Sequence, residues 1–274
     1  MYYLLTENFN SQEEKLVALV QEAVPVEKIY MLGSTLMHQR TESVFMTDSP
    51  SCRNANHYWL LVLIDKDGGH SDSYVQDKIE NTCQHFIPVT AIVVDITQFN
   101  NWLSEGQRFA CTVMKIAVLL HEKANIPLVI PNAINEEADK KTISIYCTQG
   151  INKVNEFIAG AELFRIREQN KMAAFMLHQA VEQALLTIFK KATGWHINTH
   201  NIDKLLRYCS MVNYKIPAIF PRDSESGKRM FGLLQKAYID TRYKDDFAIN
   251  SVELNMLTQR IKTLQEIMLE AIKN

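Results

Sequence analysis

His178 and Glu182 stand four residues apart in Ala173-Ala174-Phe175-Met176-Leu177-His178-Gln179-Ala180-Val181-Glu182, and Tyr238 and Arg242 stand four apart in Tyr238-Ile239-Asp240-Thr241-Arg242. On a helix that spacing places both members of a pair on one face. A guanidinium can grip a phosphate or carboxylate through two parallel hydrogen bonds. Two such pairs facing each other across a groove would hold an anionic ligand such as a nucleotide. The same residues also fit a purely architectural role, in which Arg242 pairs with Glu182 and fixes the register of two packed helices. The sequence leaves both readings open. His200, immediately ahead of Asn201-Ile202-Asp203, reads as a helix-capping residue.

A second constellation lies in the first half. Lys28-Ile29-Tyr30-Met31-Leu32 reads as a short buried strand that ends in a Gly33-Ser34 turn. Tyr58-Trp59-Leu60-Leu61-Val62-Leu63-Ile64 is a stronger strand, and Val89-Thr90-Ala91-Ile92-Val93-Val94-Asp95 a third that finishes on an acid. Between them, a polar stretch from about 38 to 56 reads as a loop and about 71 to 84 as a helix. This order, a strand ending in Gly33-Ser34, a long loop, a hydrophobic strand and a third strand ending in Asp95, resembles the core of the nucleotidyltransferase superfamily, and the resemblance implies a nucleotide pocket at Gly33, Ser34 and Asp95.

The elements that must position these residues differ between the two halves. Ser11-Gln12-Glu13-Glu14 has the pattern of a capping box ahead of a helix that Pro25 closes. Strand, helix and strand then alternate, which predicts an α+β first domain with a small mixed sheet. Residues from about 97 to 122 read as mainly helical, with Ala117 to His121 as a last strand. Pro127 and Pro131 mark a linker, so the expected domains are 1–130 and 131–274. The second half is helical throughout: a stripe from Ile151 to Phe164, a helix over 171–193 stopped by Gly194, and further helices near 201–212, 224–242 and 250–273. Short connections predict an antiparallel bundle.

The ordered motifs of the helical half closely resemble those of HEPN domains. They are Ala173 through Leu186, then Thr199-His200-Asn201-Ile202-Asp203-Lys204-Leu205-Leu206, then Tyr238-Ile239-Asp240-Thr241-Arg242-Tyr243. The first half, in turn, resembles the nucleotidyltransferase superfamily in strand order and in Gly33-Ser34. In that superfamily an Asp-x-Asp pair on the second strand and a third acid on the third strand hold two metal ions around a triphosphate. Here His57 and Trp59 stand where the pair belongs, and neither replaces a carboxylate. Asp95 is the match for the third acid, while Asp65 and Asp67 lie beyond the strand's far end. HEPN ribonucleases carry an Arg followed after four to six residues by a His, and no His follows Arg242 at that distance.

Both omissions favour a non-catalytic nucleotide- or RNA-binding regulatory protein over an active nucleotidyltransferase or ribonuclease. The resemblance further implies toxin–antitoxin-like or defence modules and a homodimer formed through the helical domain. No firm cofactor is expected beyond a nucleotide, and no metal.

Composition bounds the rest. The chain has 274 residues, 47% hydrophobic and 22% charged, as folded globular proteins have. Five cysteines, widely spaced and without a Cys-x-x-Cys pair, point to reduced thiols and a cytoplasmic location. The amino terminus lacks the basic segment of a secretory signal, and no membrane association is expected. The formal charge of −2 hides an asymmetry: residues 1–148 carry 11 Lys and Arg against 18 Asp and Glu, and residues 149–274 carry 18 against 13. A second half at +5 suits phosphate, but it equally suits the acidic first half.

Overall fold

A computed structural model describes residues 8–40, 51–65, 71–123, 126–243 and 247–273, with side chains for 11–37, 55–65, 71–123, 126–241 and 247–273. The chain divides into two compact units, Met1–Ile134 and Asn135–Asn274.

In the first unit, helix α1 (Asn8–Ala23) precedes strands β1 (Lys28–Arg40) and β2 (Ser51–Ile64). Helix α2 (Asp72–Cys83), strand β3 (Val89–Asp95), helices α3 (Ile96–Ser104) and α4 (Arg108–Ile116) and strand β4 (Val118–Glu122) follow. The sheet order is β3-β2-β1-β4. β1 runs antiparallel to both β2 and β4, and β2 runs parallel to β3, so the sheet is mixed as expected. The unbroken apolar run of β2 is explained by cover on both sides. Tyr58, Leu60 and Val62 join Leu16 and Val20 of α1 and Val75 and Ile79 of α2 in one core. On the other face Leu61 and Leu63 are fully buried, with Ile92 and Val94 beside them, and α3 packs there through Phe99 and Leu103.

Three expectations for this unit are corrected. Gly33-Ser34 is not a turn. β1 runs on through it to Arg40, with Gly33 opposite Trp59 and Ser34 opposite Tyr58, and the register shifts on either side, between Met31 and Gly33 and between Thr35 and Leu36. Within the loop expected over 38–56, residues 38–40 and 51–56 are instead the paired ends of β1 and β2, and residues 41–50 lie outside the described residues. Ser11 lies inside α1, which starts at Asn8, and so does not cap it.

The second unit is all helical: α5 (Glu136–Ile166), α6 (Asn170–Thr193), α7 (Ile202–Val212), a 3-10 turn (Ile216–Ala218), α8 (Glu225–Tyr243) and α9 (Ser251–Lys273). The Asn135 side chain caps α5 by accepting from the Ala138 N–H, and this single helix unites the charged run at 136–141 with the apolar stripe that follows. Gly194, at φ 78°, ends α6 in the left-handed conformation that favours glycine. α6 is the axis of the bundle and packs against α5, α7, α8 and α9. It is also the one helix among the described residues long and apolar enough to cross a membrane, but 72% of its apolar window is buried inside the protein.

Candidate functional site

Because α6 is surrounded, a polar residue on its inward faces must find a partner within the bundle. His178 is 1% exposed and Glu182 3%. Their partners come from two other segments. Tyr238, on α8, stacks on His178 with ring centroids 5.2 Å apart and planes 28° from parallel. His200, in the connection between α6 and α7, stacks on the same phenol ring at 5.2 Å and 14°. Phe175, one turn ahead of His178, adds a third ring at 6.3 Å from Tyr238.

Hydrogen bonds tie the rings to the carboxylate. His200 Nδ1 lies 3.1 Å from Glu182 Oε1, while the Gln179 amide spans His178 Nδ1 at 3.3 Å and Glu182 Oε2 at 3.5 Å. A carboxylate accepts, so Nδ1 of His200 is the donor in this bond, which leaves Nε2 as the acceptor of the neutral ring. The Glu182 side chain is 4% exposed and that of His200 is 60% exposed. A carboxylate sealed inside the bundle thus holds the edge of a ring open to solvent. Asp240, two residues beyond Tyr238, is also buried.

The structure therefore brings His178, Glu182 and Tyr238 together, as the pairing of helical faces led one to expect. Arg242 belongs to α8, but its side chain lies outside the described residues, so neither its phosphate-gripping role nor its pairing with Glu182 is addressed. His200 is the residue that sequence reasoning misplaced. The cap of α7 is Asn201, whose side chain accepts from the Asp203 and Lys204 N–H groups. Asn outranks His at such positions, and that preference was the available signal.

In the first unit the candidate residues do not converge. The parallel register sets Thr90 beside Trp59 and Asp95 beside Ile64. Five residues of strand, ~16 Å at ~3.3 Å per residue, therefore separate Asp95 from the level of Trp59. Thr90, not Asp95, neighbours the His57–Trp59 pair: His57 Nε2 is 3.0 Å from Thr90 Oγ1, and the imidazole lies 4.7 Å from the Trp59 ring. Asp95 caps α3, its Oδ1 accepting from the Gln98 N–H at 3.0 Å. A Cβ placed on Gly33 would meet Trp59 at 3.6 Å, so the indole covers this glycine. Asp65 is exposed at the end of β2, and Asp67 lies outside the described residues. Among the described residues no group of three or more His, Cys, Asp or Glu is placed to hold a metal ion.

Burial disfavours the reactive thiolate at Cys83 and Cys209. Burial pushes the Cys83 thiol up to about 11, assisted by Glu80, and raises that of Cys209 further. Among the described residues Cys83, Cys111, Cys147 and Cys209 are free thiols.

Comparison with known proteins bears on the helical unit. Residues 150–273 match the family model of the HEPN domain. No curated protein matches the chain.

Proposed function

Proceeding from a HEPN domain at residues 150–273, we propose that this protein binds a nucleotide or RNA through that domain and acts as a regulatory rather than a catalytic protein. The observation that carries this reading is the Glu182–His200–Tyr238–His178 cluster. A buried carboxylate positions an exposed imidazole within a column of aromatic rings, as a site for a planar, phosphate-bearing ligand requires. Arg242, one helical turn beyond Tyr238, supplies the phosphate contact, and the positive balance of the second half draws the anion toward it.

The first domain is, on this reading, a nucleotidyltransferase-like domain without its chemistry. Its mixed sheet with a parallel β2–β3 pair supports the relationship. His57 and Trp59 stand where the resemblance puts the two strand acids, and neither replaces a carboxylate, while Asp95, the match for the third acid, caps α3. We also take the active protein to be a homodimer formed through its helical domain, in keeping with a toxin–antitoxin-like or defence module. A cytoplasmic location accords with its free thiols.

The test is binding without turnover. A fluorescent single-stranded RNA is titrated with wild-type protein, Arg242→Ala and Glu182→Ala, each checked for an unchanged fold. The melting temperature is also read with each nucleoside triphosphate, with and without magnesium. We expect saturable binding or a rise in melting temperature, weakened about tenfold or more in both variants, with the RNA recovered intact. No binding and no shift with any ligand would reject the reading. RNA cleavage lost in Arg242→Ala would replace it with a ribonuclease.

A further inference from the structure

We infer that His200 is a stacking platform for an unpaired nucleobase, so that the ligand is read by a base and not only by its phosphate. The inference rests on the binding role proposed above and adds to it the part of the ligand that is recognised. Three boundaries of the imidazole are fixed. One ring face lies against Tyr238, nearly parallel to it at 14°. The Nδ1 edge is held by Glu182 at 3.1 Å, and the backbone is anchored one residue ahead of the α7 cap. Yet the side chain is 60% exposed. What remains open is the second ring face together with the Nε2 edge.

A ring held on one face and one edge has lost its freedom to rotate before any ligand arrives, so a base that stacks on it meets little ordering cost. Every nucleobase presents a π-face, and the column Tyr238–His200 can be continued by one more flat ring. Nε2, at the open edge, accepts a hydrogen bond from the base while the imidazole is neutral. A paired base in a duplex offers no free face, so the expected ligand is a single-stranded segment or a free nucleotide.

Two substitutions separate the ring from its polar edge. His200→Phe keeps a flat ring and loses both nitrogens. His200→Gln keeps a donor for Glu182 and loses the ring. Each is measured by fluorescence polarisation against a short oligoadenosine RNA, the same backbone with abasic sites, the oligomer annealed to its complement, and free ATP. Melting temperatures verify folding.

Stacking predicts that wild type and His200→Phe prefer the base-bearing single strand over the abasic one by about tenfold or more, and that His200→Gln loses that preference. Binding of ATP as well as the oligomer would identify a free nucleotide as sufficient, and binding of the oligomer alone would identify RNA; both support the platform. Equal binding of base-bearing and abasic strands by wild type, or retention of the preference by His200→Gln with its loss in His200→Phe, would overturn it. Either result leaves the broader binding reading standing, which fails only if wild type binds none of the four.

Discussion

His196 shows how a single side chain couples this fold to pH. Its Nδ1 lies 3.2 Å from the Tyr146 hydroxyl, which donates when the imidazole is neutral. Burial, and then the charges of Lys190 and Lys153, hold its pKa below the ordinary histidine value. The unfolded chain therefore takes up a proton near pH ~6.5, before the folded protein does. Across the window from there down to the lowered folded value, the unfolded state binds more protons and stability falls as pH falls. Above that window the neutral ring costs nothing. His196→Gln removes the titration, so the drop in melting temperature between about pH 7 and pH 5 should be smaller in the variant than in wild type. Parallel curves over that range would show that His196 does not contribute. The same physics accounts for what was and was not legible among the site residues. His178 and Glu182 announced themselves by spacing, because a helix makes position i+4 a neighbour. Their partner His200 is 18 residues from Glu182 across a helix end. No periodicity joins the two, and its adjacency to Asn201 suggested a cap instead.

At the scale of elements, α5 and α6 meet closely at one glycine of the second unit. A Cβ on Gly150 of α5 would stand 2.1 Å from Thr187 Oγ1 and 2.9 Å from Thr187 Cγ2, on α6. Thr187 has no flexible end to swing aside: it is β-branched, and its hydroxyl donates to Gln183 O at 2.7 Å. Alanine at 150 would gain ~1 kcal/mol of helix propensity over glycine. Forced overpacking in a closed core costs ~1–3 kcal/mol, and at 2.1 Å the clash decides the sign. Gly150→Ala should thus lower the melting temperature by several degrees, and adding Thr187→Ala should recover much of the loss, as double-mutant unfolding curves would show. Equal effects with and without the threonine would mean that the helices simply separate. The end of α6 was readable because Gly194 marks it chemically, whereas the cap of α7 was placed one residue early, at His200 instead of Asn201. The long β1–β2 hairpin was not readable. Beyond Gly33 its strands face solvent at Thr35, Leu36 and Met37, and a strand without a buried face shows no apolar alternation to read. A glycine followed by a serine then resembles a turn, although the ladder to β2 continues through it.

At the scale of the whole molecule, the question is where the first unit stops. Pro127 and Pro131 suggest a free linker, yet the segment that contains them is fastened down. The Asn100 side chain on α3 donates to Pro127 O at 3.2 Å and accepts from the Val129 N–H at 2.9 Å. The Asn132 N–H donates to Leu103 O at 2.9 Å, and its side-chain amide donates to Ser104 O. Gly106, at φ 66°, turns the chain after α3 so closely that a Cβ there would meet Ala133 O at 2.5 Å. Each contact satisfies backbone groups that extended chain would otherwise leave to water. The Asn100 amide, a side-chain hook on two peptide groups at once, is the piece whose loss should free the rest. Leu128, Val129 and Ile130 are good thermolysin sites if the segment opens. In the wild-type full-length protein, cleavage there requires the hook to let go, and its rate follows the population of the opened form. Asn100→Ala removes two hydrogen bonds worth ~1 kcal/mol each, so the opened population should rise about tenfold or more. The expected result is faster appearance of two fragments separated near residue 129, with the melting temperature of the helical part unchanged. Identical digestion of both proteins would mean that the segment is held by Asn132 and Gly106 alone, and cleavage elsewhere would place the hinge outside the proline segment.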